Sequence, residues 1–177
     1  MRNAELLADL IGQCAATVHR HVDPLDAAAL AWRPDSLANS IGITVWHVSR
    51  WMDLLAVVVL QNRGHDEEHW HTQGWRQKTG YDPRGIGFNG FGAITGYTAE
   101  EVNAIPVMEK ADLLAYFDQT SGALRDYVAS MSDESLHQPA PGSHQGRLAY
   151  EWIKAILVGE LGHAGEIEAL AAMRARI

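Results

Sequence analysis

Cys14 is the only cysteine among 177 residues, which excludes an intramolecular disulfide framework and fits a reducing compartment. Cationic charge is also scarce. Fourteen Lys and Arg against 22 Asp and Glu give a net charge of −8 and a pI near 5.5. Such a surface has no excess of cations to neutralise a phosphate backbone, so nucleic acid is not an expected partner. The longest uninterrupted apolar run, Leu54 to Leu60, falls well short of the ~18–20 residues of a membrane span, and no membrane association is expected. The N-terminus Met1-Arg2-Asn3-Ala4-Glu5 brings an acid early and lacks the apolar core of a secretory signal. These absences make a cytoplasmic protein the expectation. Strand-like alternation of useful length is missing as well, which leaves helices as the source of regular structure.

What is present is ordinary globular material. Hydrophobic residues make up 47% and charged residues 20%, and the length is that of one domain spanning residues 1–177. Leu6, Leu7, Leu10, Ile11, Cys14 and Val18 recur at i, i+3, i+4 spacing and predict a first helix over 4–22, with Cys14 a small buried filler. His19, Arg20 and His21 suit its C-terminal dipole, and Pro24 stops it. After a connector holding Trp32 and Pro34, Asn39 or Ser40 can cap a second helix over 41–62, with Gly64 past its end. This helix is apolar around most of its circumference, as expected for burial between neighbours or at a subunit contact.

Residues 64–96 are glycine-rich and hold no period, so they form a long connection, a type that often has a functional role or short helices of its own. Thr98-Ala99-Glu100-Glu101 has the form of a capping box and starts a short helical piece ending before Pro106. Leu113, Leu114, Tyr116, Phe117, Leu124 and Val128 predict a third long helix over 107–131. Residues 132–147 read as a loop and 148–175 as the fourth helix. Four amphipathic helices with one long connection between the second and third predict an all-α four-helix bundle.

Bundles build sites from inward side chains on neighbouring helices, which draws attention to His47 of the second helix and His163 of the fourth. A lone histidine in a helix is more often a core imidazole bonded to a carbonyl. The surroundings of His163 argue for more. Gly159, Gly162 and Gly165 each cost up to ~1 kcal/mol in a helix interior, so the fourth helix needs close packing or room for a ligand there. Glu160 and Glu166 lie three residues either side of His163, and each can share an ion with it or lie on a solvated face. Trp46 reads as core or pocket wall.

Trp32-Arg33-Pro34, Asn39-Ser40-Ile41-Gly42 leading to Trp46-His47, and Gly159-Glu160-Leu161-Gly162-His163-Ala164-Gly165-Glu166-Ile167 together resemble the DinB-like four-helix-bundle metalloenzymes. That family includes bacterial thiol-dependent transferases and mycothiol-dependent maleylpyruvate isomerase. The resemblance implies a divalent metal, nickel or zinc, held by one histidine of the second helix and a pair from the fourth. His47 and His163 match two of those ligands, but the first member of the pair falls on Gly159, which has no side chain to coordinate. Glu160 is rotated ~100° from that position and could substitute by reach, as could His65, His69 or His71 from the long connection.

With metal bound, the resemblance implies a small-molecule hydrolase or a low-molecular-weight-thiol transferase. The nucleophile is then an external low-molecular-weight thiol or water, because Cys14 has no paired histidine in sequence, and Glu160 or Glu166, where not a ligand, is the candidate general base. Without it, the reading is a non-catalytic, ligand-binding or stress-associated bundle with a degenerate site, or a metal-free pocket in which the histidines are hydrogen-bond donors. A homodimer is expected from the resemblance together with the apolar second helix.

Overall fold

The computed structural model describes residues 1–177 and is all-helical, with a single isolated β-bridge between Pro139 and Leu148. The chain begins with α1 (Asn3–Val22) and the short α2 (Ala27–Ala31). Next comes α3 (Ile41–Leu54), which runs into a π-helical turn at Leu55–Val59. The long connection contains α4 (His69–Thr72), α5 (Trp75–Thr79) and α6 (Ala99–Asn103). The chain closes with α7 (Lys110–Ser130), the one-turn α8 (Asp133–Leu136) and α9 (Ala149–Arg174). The four long helices stand where the apolar periodicity puts them.

Differences from the sequence reading are local and have simple causes. Ser40, not Asn39, caps α3 by accepting from the Ile43 amide at 3.2 Å. The second helix ends at Asn62 as expected, and it is Asn62, at φ 54°, rather than Gly64 past the end that takes the left-handed conformation. Asn tolerates that conformation because its short polar side chain is accommodated locally. The expected capping box forms: Thr98 Oγ1 accepts from the Glu101 amide while Glu101 accepts from the Thr98 amide. α2 and the turns at residues 65–72 and 133–136 are too short to show a period.

Helix α1 packs on α7 and α9, and α3 packs on the same two, so the four form a closed ring. Arg2 at the start of α1 donates to the carbonyls of Ala129 and Met131 at the end of α7, which makes that pair antiparallel. Along α3 and α7 the contacts run in register, Gly42 near Leu113, Arg50 on Tyr116 and the Leu60 carbonyl on Tyr127, so these helices are parallel. A parallel pair obliges the chain to return the length of the bundle between them. The long connection exists for that reason.

That connection is fastened to α3 by a buried ionic cluster. Arg50, Asp53 and Glu68 have no exposed side-chain surface, and Arg50 Nη2 lies 2.6 Å from Glu68 Oε2. Tyr116 donates its hydroxyl to Asp53 at 2.9 Å, and Arg50 Nη1 donates to the same hydroxyl at 3.1 Å. Asp53 also accepts from the backbone amides of His69 and Trp70, and it pairs with His69 Nδ1 at 2.8 Å. Burial opposes the Asp53 charge, but the bonds from His69 and the Arg50 guanidinium outweigh it and hold the carboxyl below its ordinary range. Around the cluster, Trp70 meets Trp46 and Tyr116 edge to face at centroid distances of 5.7 and 5.0 Å.

The apolar circumference of the second helix is accounted for within the chain. Across Ile41–Val59, the one helix long and apolar enough to cross a membrane by composition, 78% of the relevant stretch is buried inside the bundle. Exposed large apolar side chains lie outside this helix, among them Leu37 and Val107 in connecting segments and, on α9, Val158 at 66% and Leu161 at 60%.

Replacing Arg50 by Met leaves Asp53 and Glu68 buried without their cation, so urea denaturation is expected to show a loss of about 3–5 kcal/mol. A loss below about 1 kcal/mol would mean that the cluster does not hold the connection.

Candidate functional site

His47 faces α9 from the middle of α3, and His163 faces α3 from the middle of α9. The two rings meet edge to face with centroids 4.9 Å apart. Thr44, one turn before His47, reaches Glu166, one turn beyond His163, at 3.4 Å. These paired contacts make α3 and α9 antiparallel and fix the register that brings the imidazoles together.

Each ring has one nitrogen occupied by a partner. His47 Nδ1 lies 2.6 Å from the carbonyl of Ala93, in the long connection, and His163 Nδ1 lies 2.8 Å from Glu166 Oε2. No hydrogen bond engages Nε2 of either ring. Burial, reinforced by repulsion from His163, depresses the pKa of His47 to about 4. At neutral pH it is therefore an uncharged imidazole, the form that can donate a lone pair. Glu166 is lowered by its bond from His163 and is an anion. It orients His163, and that bond occupies an oxygen that a general base would need.

The two histidines line one end of a cavity of about 250 Å³ between α3 and α9. Val48 and Trp51 form its α3 wall; Trp152, Ile156 and Gly159 form its α9 wall. These α9 residues and His163 are spaced i, i+4, i+7, i+11 and share one helix face. Arg147, just before α9, also lines the cavity, with its guanidinium over the Trp152 ring at 4.7 Å. Trp46 is core: it is 1% exposed and does not line this cavity.

Glu160 lines the same cavity and is 4% exposed, and neither of its carboxyl oxygens has a hydrogen-bond partner. Burial drives its pKa up to about 8, opposed only weakly by the Cys14 thiol of α1. At pH 7 it is a protonated acid. Cys14 is itself buried, and burial together with the neighbouring Glu160 raises its thiol to about 11, which keeps it un-ionised and inert.

The glycines of α9 are not there for packing within the chain. A Cβ built at Gly159, Gly162 or Gly165 meets nothing within 4 Å. At Gly159 the open space belongs to the cavity. The histidines of the long connection that could have supplied a third ligand lie away from the cavity. His65 pairs with Glu68 at 2.5 Å and His69 with Asp53, while the half-buried His71 has neither ring nitrogen partnered. None of the three lines the cavity.

The donor set can be tested against the divalent ion that the sequence resemblance implies. Engagement of Nδ1 by a carbonyl or a carboxylate is the usual outer-shell arrangement of a metal-bound histidine, so His47 and His163 each fit. The third position does not, because Gly159 has no donor, and no group of three His, Cys, Asp or Glu side chains converges as an ion requires. The residues present therefore offer two donors and fall short of a three-ligand centre.

The sequence profile of the DinB superfamily matches residues 10–167, and the chain belongs to that superfamily. Among solved structures it is similar to a conserved protein from Enterococcus faecalis, with a TM-score of 0.79 and 17% identity over 97% of this chain and 96% of that one. At that identity the likeness shows the fold alone. No curated protein matches the chain.

Two outcomes follow from the site's physics. Gly162 is exposed and open around its Cβ, so Gly162→Ala is expected to stabilise the protein by about 0.5–1 kcal/mol in thermal or chemical unfolding. Glu160 has a folded pKa of about 8 against 4.5 unfolded, so its contribution is complete below pH 4.5 and is lost as pH rises through 8. Measured from pH 5 to 8, wild type should lose stability relative to Glu160→Gln. Parallel pH profiles would show that the carboxyl is ionised in the fold.

Proposed function

We propose that this protein is a small-molecule-binding bundle of the DinB superfamily whose site is the α3–α9 cavity, with His47 and His163 as its polar centre and no tightly held ion. The observation that supports this reading most directly is the pairing of two imidazoles, each with Nε2 free, at the end of a cavity where the third ligand position is glycine. Apolar walls with a few convergent polar groups are the usual make-up of a small-ligand site. In this reading the histidines act as hydrogen-bonding groups, His47 neutral and His163 oriented by Glu166, and the un-ionised Glu160 supplies a donor from the cavity wall.

A second reading is favoured by the Nδ1 partners of both rings, which pre-orient two nitrogens as metal ligands. It is a nickel- or zinc-dependent hydrolase or low-molecular-weight-thiol transferase, with His47 and His163 as ligands and Glu160 as the candidate third. A bound divalent ion would supply Lewis acidity and a lowered pKa for water or a thiol. Glu160 would have to leave its buried, protonated state to serve either as ligand or as base.

Elemental analysis of tag-free protein, with nickel and zinc titrations of wild type, His47→Ala, His163→Ala and Gly159→His, separates the two. The first reading expects far less than one ion per chain in wild type and tight binding gained only in Gly159→His. About one ion per wild-type chain, lost in both histidine variants, would overturn it in favour of the metalloenzyme.

A further inference from the structure

Two side chains on the cavity wall have binding capacity that the protein does not itself use. Arg147 takes part in none of the ion pairs within the chain. Its guanidinium makes one hydrogen bond, from Nη2 to the Glu151 carbonyl at 3.1 Å, of the five that an arginine can donate. Trp152, on which the guanidinium rests, is itself fixed by donation from Nε1 to Ser143 Oγ at 3.2 Å. The cation is therefore held in place and left unneutralised, although the chain has a net charge of −8.

Glu160 is the second such side chain. The Cys14 thiol, a weak donor, is the one polar group beside its carboxyl, and a carboxyl 4% exposed with no stronger partner is costly to keep in a folded protein unless something else bonds to it. Eight residues separate Trp152 from Glu160 along α9, a rise of about 12 Å, so Arg147 on Trp152 and Glu160 mark different ends of an elongated slot. Trp51, Trp152 and Ile156 supply apolar surface between them. A volume of about 250 Å³ is below the ~300–1,000 Å³ of drug-sized pockets and admits one ring or a short chain.

We propose that the slot takes a compact monocarboxylate with an apolar or aromatic body and a carbonyl or hydroxyl at its far end. The carboxylate pairs with Arg147, the body lies between Trp51, Trp152 and Ile156, and the far polar group bonds to Glu160. A planar guanidinium offers a carboxylate two parallel N–H bonds, which gives the anionic end both its affinity and its orientation. The inference rests on the reading of this cavity as the small-molecule site.

The test is calorimetric titration of chelator-treated protein with 4-acetylbenzoate and with its neutral methyl ester. Wild type, Arg147→Leu, Arg147→Lys and Gly159→Phe are compared, after circular dichroism melts confirm that each variant folds. Wild type should bind the acid at least tenfold more tightly than the ester. Arg147→Leu should lose at least tenfold in affinity for the acid, Arg147→Lys should keep part of it, and Gly159→Phe should abolish binding by filling the slot. Equal binding of acid and ester, unchanged in Arg147→Leu but lost in Gly159→Phe, would overturn the carboxylate assignment and leave the cavity as the small-molecule site. Binding that survives Gly159→Phe would overturn both. Absence of acid binding to wild type at millimolar concentration would overturn the carboxylate assignment.

Discussion

The buried pairing of Arg50 with Asp53 and Glu68 is the contact on which the rest of the architecture depends. Three charges with no exposed side-chain surface are tolerable only because each is met by an opposite charge or a hydrogen bond. Arg50 sits on α3, Glu68 and the amides that Asp53 accepts belong to the long connection, and Tyr116 belongs to α7. One cluster thus joins the two parallel helices to the chain that runs back between them. Without such a fastening, a connection of some fifty residues would add little but conformational entropy to the cost of folding.

The α3–α9 cavity inherits its geometry from that fastening. Arg50 Nε donates to the carbonyl of Gly92, and the neighbouring carbonyl of Ala93 receives His47 Nδ1. The ring that lines the cavity is therefore held by a segment that the ionic cluster holds. His163 is held locally, by Glu166 one turn further along its own helix. The imidazole pair is accordingly half local and half dependent on the return of a distant loop. Residue 159 shapes what remains: its missing side chain withholds a third ligand and opens space in the cavity wall.

Much of this is legible in the sequence. The four long helices show in the apolar period of α1, α3, α7 and α9, because amphipathic helices of this length repeat the same requirement turn after turn. His47 and His163 were legible as a pair through the resemblance to the DinB-like bundles, and Gly159 as the gap. Spacing alone offers Glu160 as a ligand, a base or an acid on a solvated face, and spacing does not report that its carboxyl lies buried with only the Cys14 thiol beside it. Nothing in the sequence singles out Arg147, which precedes α9 in an irregular segment and stacks on Trp152 at the cavity only in the fold. The glycines of α9 signalled either close packing or room, and the structure assigns room at Gly159.

The sequence by itself determined the helical class, the placement of the long helices and the identity of the two facing histidines, since these follow from periodicity and short motifs carried by neighbouring residues. Tertiary structure decided the parallel pairing of α3 with α7, the buried cluster at Arg50, the anchoring of His47 by Ala93 and the state of Glu160. Each of these depends on contacts between residues tens of positions apart. Burial sets the energy of a charge together with the partners that the fold brings to it, and spacing along the chain reports neither, so the chemistry of the site is set by what the fold excludes from water and what it leaves in contact.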